Sequence, residues 1–250
     1  MNVNNVRSQI IDGVEINTHF DKGPFFIDGV DTICSLFLQR CKQLQKKVVH
    51  REKELGIWKS YTWNDFYHNV RLISLGLNKL GFTRGDKASI LAEDCKEWIY
   101  ADFAVQCLGG VSTGVYTTDS SEQLLYQLTD SDSTFLFLDT DEQLDKYLTI
   151  ANDCPKIKKA IVFEREDLFD FKHEKVIFLD ELYKIGEQAL KKKPDLFETE
   201  ISKNKASDVA IMVYTSGTTG HPKGVMLTNE NLIYAISAVS YTHLTLPTKA

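Results

Sequence analysis

Between Tyr214 and Thr228 the chain reads YTSGTTGHPKGVMLT. Four hydroxyl residues, Thr215, Ser216, Thr218 and Thr219, stand among three glycines, Gly217, Gly220 and Gly224, and one lysine, Lys223. Glycine permits positive φ and lets the backbone come close to a ligand. The hydroxyls and bare N–H groups can donate hydrogen bonds. Lys223, just after the rigid Pro222, supplies a full positive charge, and no acid stands in the run to repel an anion. Such a set suits a polyphosphate. The generic phosphate loop GxxxxGK[ST] is not met: Lys223 follows proline rather than glycine, and Gly224 stands where the magnesium-binding Ser or Thr belongs. A P-loop nucleoside triphosphatase is thereby disfavoured. The plain alternative is a Gly/Pro hairpin loop whose hydroxyls serve only turn chemistry.

The elements that must hold this run can be read on either side of it. DVAIMVY is a strand that delivers it, GVMLT is a returning strand, and NENLIYAISAV is a helix capped by Asn229. Upstream, Asp31 caps a helix running to about Lys46, with Ile33, Leu36, Phe37, Cys41 and Leu44 in its stripe. KKVVHREK and GIWKSYTW read as strands. Thr62 and Asp65 form a capping-box pair before a helix that Gly81 ends. Strand Lys87–Ala92, helix Glu97–Leu108, strand VSTGVY, a helix capped by Ser120 and Gln123, strand TFLFLD, helix DEQLDKYLTIA, strand KKAIVF and a last strand–helix pair at KVIFLDEL follow. This alternation predicts an α/β fold, a doubly wound, mainly parallel sheet with helices on both faces. Ligands in such sheets gather at the carboxyl ends of the strands. KKKPDLFETEISKNKASD is polar and reads as a loop or surface segment.

Composition sets outer bounds. The 250 residues are 43% hydrophobic and 26% charged, enough apolar mass for a substantial core. A net charge of −6 and the lack of a basic stripe argue against nucleic acid. Lys191, Lys192 and Lys193 are flanked by acids and read as a solvated patch. Five cysteines without CxxC spacing point to reduced thiols in a cytoplasmic setting, and no metal site is expected. No apolar run reaches the roughly 18 residues that span a bilayer, and no secretory leader is legible at the start. Attachment to the periphery of a membrane stays compatible with the sequence.

The full string YTSGTTGHPKGVMLT resembles the phosphate-binding signature of the AMP-forming adenylating enzymes, which include acyl-CoA synthetases, peptide-synthetase adenylation domains and luciferases. Thr215, Ser216, Gly217, Thr218, Thr219, Gly220, Pro222, Lys223 and Gly224 match its pattern, and His221 falls at its variable position. The segment from Arg51 to Ser131 is similar to the amino-terminal region of long-chain fatty-acid–CoA ligases, with YTW, GDKASIL, EW, GGV and the Tyr116–Ser120 turn in corresponding places. The resemblance covers roughly residues 20–238, a partial AMP-binding domain, and leaves 1–19 unassigned. It implies that the loop holds the β- and γ-phosphates of ATP, that Mg2+ accompanies the nucleotide, and that a fatty acid and coenzyme A are the other substrates. Another carboxylic acid, or a nucleotide-binding fragment without turnover, remains the alternative.

The family's adenine-holding YGxTE-like segment, its ribose-binding Asp and its late catalytic lysine have no counterpart here, so the chain by itself is expected to be inactive. VSYTHL, near the end, is one reading frame of CTGTCTCTTATACACATCT, a transposon adapter used in sequencing libraries. Residues 239–250 are accordingly expected to be a non-native tail, and His243 is not assigned a role. Glu93 and Asp94 are read as the start of the next helix rather than as ligands. His50, His68 and His173 are read as surface or core residues, and Trp58, Trp63 and Trp98 as packing residues.

Overall fold

A computed structural model describes residues 6–11, 14–19, 25–166, 168–215 and 221–245, with side chains described from residue 25 to residue 238 only. Strands β1 (Val6–Ile11) and β2 (Val14–His19) pair as an antiparallel hairpin, and helix α1 (Ile33–Leu44) follows. The cap of α1 is Thr32, whose hydroxyl accepts the Ser35 N–H, one residue later than the Asp31 expected from sequence. Strands β3 (Val48–Glu54) and β4 (Ile57–Thr62) form a second, separate two-stranded sheet. Thr62 and Asp65 make the expected capping box at the start of α2 (Trp63–Lys79).

The α/β alternation then appears as read: β5 (Lys87–Leu91), α3 (Lys96–Cys107), β6 (Val111–Val115), α4 (Ser121–Asp130), β7 (Ser133–Leu138), α5 (Asp141–Ile150), β8 (Lys159–Val162), β9 (Val176–Phe178) and α6 (Leu179–Lys192). The polar stretch after α6 was expected to be a loop, but it contains a short helix, α7 (Leu196–Ile201). Phe197 and Ile201, four residues apart, share one helical face and are buried, which orders an otherwise charged segment. The chain closes with β10 (Val209–Thr215), β11 (Lys223–Thr228) and α8 (Asn229–Thr245).

Seven of these strands form one sheet in the order β11-β10-β6-β5-β7-β8-β9, parallel throughout except for β11. From β5 the chain moves to β6 on one side, then crosses to β7 on the other, the reversal that opens a crevice at the strands' carboxyl ends. Alternation along the strands supplies both faces of the core. Ala88, Ile90, Phe135, Phe137 and Ile161 meet α1, α2, α3 and α6 on one face. Leu91, Leu136, Leu138, Ala160 and Val162 meet α4 and α5 on the other. Among the described residues no helix is long and apolar enough to cross a membrane.

Two glycines let α2 and α6 cross at backbone contact. A Cβ on Gly186 would lie 2.1 Å from the Leu72 carbonyl oxygen, and one on Gly76 would lie 2.7 Å from the Leu182 carbonyl oxygen. Backbone cannot yield as a flexible side chain can. Alanine gains about 1 kcal/mol of helix propensity over glycine, yet overpacking costs about 1–3 kcal/mol, so the clash outweighs the gain. Gly186→Ala is therefore expected to lower the denaturant midpoint of unfolding; a midpoint equal to or above wild type would show that the crossing has slack.

Candidate functional site

The sequence-predicted loop is hung between β10 and β11. Thr215, the last residue of β10, pairs with Lys223, the first of β11, so residues 216–222 bridge a closed base. Ser216, Gly217, Thr218, Thr219 and Gly220 lie outside the described residues. Thr215 and Lys223 are both exposed at the carboxyl end of β10. Among the described residues Lys223 has no ion-pair partner, which leaves its charge available to an anion. Gly224 departs from its expected role. It lies in extended backbone rather than at positive φ, and a Cβ there would meet the Met212 sulfur at 2.8 Å and the Tyr214 ring at 3.3 Å. Its missing side chain makes room for protein, not for ligand.

Helix α4 anchors the loop from below. Tyr126 donates its hydroxyl to the Pro222 carbonyl at 2.9 Å, and its ring stacks on His221 with centroids 4.6 Å apart. One turn later Asp130 accepts the Tyr214 hydroxyl at 2.7 Å. That carboxylate and the loss of water around the ring push the Tyr214 phenol above its ordinary pKa, burial being the larger cause. Tyr126 and Asp130 stand at i, i+4 and so share one helix face. Sequence reading passed over both residues; the signal was that spacing, counted from the Ser120–Gln123 cap, which is present as expected.

On the α3 side of β6 and β10 lies a cavity of about 510 Å³. Ala92, Trp98, Gly114, Val115, Ile211 and Val213 give it apolar walls, and Glu93, Tyr116 and Thr117 form its rim. Glu93 and Asp94 were read as helix starters, but Cys95 is the residue that caps α3, and the two acids line this cavity from the β5–α3 loop. The Glu93 N–H donates to Asp139 at 2.8 Å and its carboxylate accepts the Thr117 hydroxyl, tying together the ends of β5, β6 and β7. Trp98 and Trp63 pack against the core as expected, whereas Trp58 is 68% exposed and does not. His50 contacts the Tyr100 hydroxyl at 3.2 Å, and no group of three metal-ligating side chains gathers among the described residues. Lys191 and Lys192 sit exposed in the last turn of α6, where cations complement the helix dipole. Asn229 is not the cap of α8. Thr228 and Asn231 cap it reciprocally, while Asn229 accepts the Ile33 N–H at 3.1 Å and fastens α8 to α1.

Asp102 of α3 stands half-buried at the cavity floor. Its Oδ1 accepts both the Ser112 hydroxyl and, at 2.8 Å, the Gln106 amide. Shielding from water raises its carboxyl above the usual range, and the two donors oppose that rise.

A β-strand pair closing a hydroxyl- and glycine-rich loop at the open end of a doubly wound sheet, with a lysine at its base that has no ion-pair partner among the described residues, marks an α/β domain. A family model described as AMP-binding enzyme matches residues 37–249, and the chain belongs to that family. Long-chain-fatty-acid–CoA ligase ACSBG1 of Mus musculus is 31% identical over 211 residues, covering 84% of this chain and 29% of that protein. Long-chain-fatty-acid–CoA ligase FadD15 of Mycobacterium bovis is 27% identical over 223 residues, covering 89% of this chain and 35% of its own length. The chain thus spans about a third of the curated relatives it matches. Among solved structures, a luciferase-like enzyme of the mealworm Zophobas morio aligns with a TM-score of 0.70 at 20% identity, over 88% of this chain and 48% of that one. A fatty acyl-adenylate ligase of L. pneumophila aligns with a TM-score of 0.63 at 17% identity, over 87% and 34%. Both likenesses speak for the fold.

Two measurements check this geometry. Losing one hydrogen bond and a ring contact frees about 1–2 kcal/mol of restraint. Tyr126→Ala should therefore speed amide exchange at His221, Lys223 and Gly224 by about tenfold, with Tyr126→Phe between it and wild type; equal exchange in all three would remove Tyr126 as an anchor. For Asp102, the folded chain holds a proton that the unfolded chain releases. Its contribution to stability therefore falls as pH climbs from the ordinary carboxylate value, about 4, through the raised one. Asp102→Asn should flatten the decline of Tm over that window, and an unchanged slope would contradict the raised value.

Proposed function

We propose that this chain supplies the triphosphate-holding part of an AMP-forming long-chain fatty-acid–CoA ligase, with residues 20–238 as the AMP-binding segment. The observation that carries the reading is the closed Thr215–Lys223 base, with Lys223 exposed and without an ion-pair partner among the described residues, next in sequence to a run of hydroxyls. In the reaction proposed, a carboxylate oxygen attacks the α-phosphorus of ATP. The bond to the bridging oxygen breaks and pyrophosphate leaves, giving an acyl-adenylate. The sulfur of coenzyme A then attacks the acyl carbonyl and AMP departs.

Thr215, Ser216, Gly217, Thr218, Thr219, Gly220 and Lys223 are assigned to the β- and γ-phosphates, the part that becomes the leaving group. They act by positioning and by neutralising charge, not by covalent chemistry. Mg2+ is expected to enter with the nucleotide and to share in that neutralisation. The names of the relatives and the apolar walls of the cavity around Trp98, Gly114 and Val213 support a fatty acid as the carboxylate. The catalytic lysine implied by the resemblance has no match in this chain, so the segment alone is expected to form no palmitoyl-CoA from palmitate, ATP and coenzyme A.

A charge-assisted hydrogen bond contributes about 1.5–3 kcal/mol, so Lys223→Ala should slow palmitate-dependent exchange of pyrophosphate into ATP by roughly ten- to a hundredfold in the complete protein. An unchanged exchange rate would remove Lys223 from the phosphate site. Exchange driven by aryl or amino acids and not by palmitate would overturn the fatty-acid assignment.

A further inference from the structure

The β3–β4 hairpin stands apart from the main sheet, and its free end is built unlike a soluble turn. Glu54 pairs with Ile57 across a two-residue loop in which both Leu55 (φ 47°) and Gly56 (φ 83°) are left-handed. Such a turn favours Asn or Gly at its first position, where leucine is strained. Leu55 is nevertheless there, at 103% relative exposure, with Ile57 at 69% and Trp58 at 68% beside it. Neither the core nor the phosphate site uses any of the three.

The charges around the tip are sorted by face. Lys53 pairs directly with Trp58, and Arg51 with Ser60, so indole and cations share the outward face of the hairpin. Neither Arg51 nor Lys53 has an ion-pair partner among the described residues. The acids point the other way. Glu52 and Glu54 meet Lys96 at 2.9 and 3.1 Å, and Glu54 also accepts Lys59 and the Tyr61 hydroxyl. These partners, Lys59 foremost, draw the Glu54 carboxyl down to about 2, so it remains a paired anion. In a chain of net charge −6, this leaves an exposed apolar tip with two cations, Arg51 and Lys53, unpaired among the described residues on its Trp58 face, while Ile57 lies on the face of the paired acids.

We propose that the Leu55–Trp58 tip of this hairpin seats the protein on an anionic lipid surface. Tryptophan takes its place at headgroup depth, with an apolar body and one N–H donor. Leu55 and Ile57 reach the acyl boundary, and Arg51 and Lys53 face the headgroup charge. The apolar tip explains why a strained leucine stands where asparagine would fold more easily. The proposal rests on the hairpin alone and does not require the ligase reading.

Co-sedimentation of the protein with vesicles of mixed phosphatidylcholine and phosphatidylglycerol, in the absence of ATP and fatty acid, tests it. Wild type should pellet with these vesicles, less with pure phosphatidylcholine, and less as salt rises. Leu55→Ser combined with Trp58→Ser should lower the partition coefficient about tenfold, and Lys53→Glu about fivefold. Leu55→Asn is the discriminating variant: it should weaken partitioning while keeping or raising Tm, since the turn accepts Asn. Phe169→Ser, at an exposed phenylalanine elsewhere, should pellet as wild type does. A wild type that stays in the supernatant, tip variants that partition like wild type, or a Phe169→Ser loss equal to theirs would each overturn the proposal.

Discussion

The site hangs on one short parallel pairing. Ile211 lies beside Ser112 and Met212 beside Thr113, and through these residues β10 joins the sheet next to β6. The placement of the loop's two arms follows from that register. It brings Thr215 out at the carboxyl edge, sets Val213 on the cavity side, and turns Met212 and Tyr214 toward α4. Because side chains alternate along a strand, a slip by one residue would turn Tyr214 away from α4 and leave Asp130 without its partner. The antiparallel return of β11 then closes the base, and Gly224 keeps that closure free of a clash with Met212 and Tyr214.

Two kinds of restraint act on the loop from opposite sides of the sheet. From α4, Tyr126 and Asp130 hold both arms, one through the Pro222 carbonyl and one through the Tyr214 hydroxyl. From α3, the cavity is floored by Asp102, whose raised carboxyl reflects a setting poor in water. The base of the loop is therefore stiffened by two tyrosine hydrogen bonds, one to a backbone carbonyl and one to a carboxylate. Lys223 has no ion-pair partner among the described residues, in contrast to Lys96, whose charge meets three glutamates.

Much of this was legible in the sequence because the physics is local. The Thr62–Asp65 and Ser120–Gln123 caps are satisfied within four residues, and β5 and β7, buried on both faces of the sheet, announce themselves as short apolar runs. What was not legible depended on partners distant in the chain. Asn229 looked like a helix cap, but its carbonyl oxygen is taken by Ile33, nearly two hundred residues away. Gly224 looked like a phosphate-loop glycine, but the atoms that demand it belong to β10. Phe197 and Ile201 lay hidden in a charged segment, since two apolar residues one turn apart carry too little periodicity to announce a helix. Trp58 was taken for a packing residue because aromatic type alone does not say which face of a hairpin is outward.

The central claim is that Lys223 is held out of ion pairs so that it can meet the terminal phosphates of ATP. Reactivity of individual lysines toward an amine-acylating reagent, read by mass spectrometry on the complete protein, tests it directly. The account predicts that ATP and pyrophosphate each suppress labelling of Lys223 while AMP, which lacks the β- and γ-phosphates, does not, and that Lys184, exposed far from the loop, labels equally in all cases. Labelling of Lys223 that is indifferent to ATP and pyrophosphate, or that AMP suppresses equally, would contradict it.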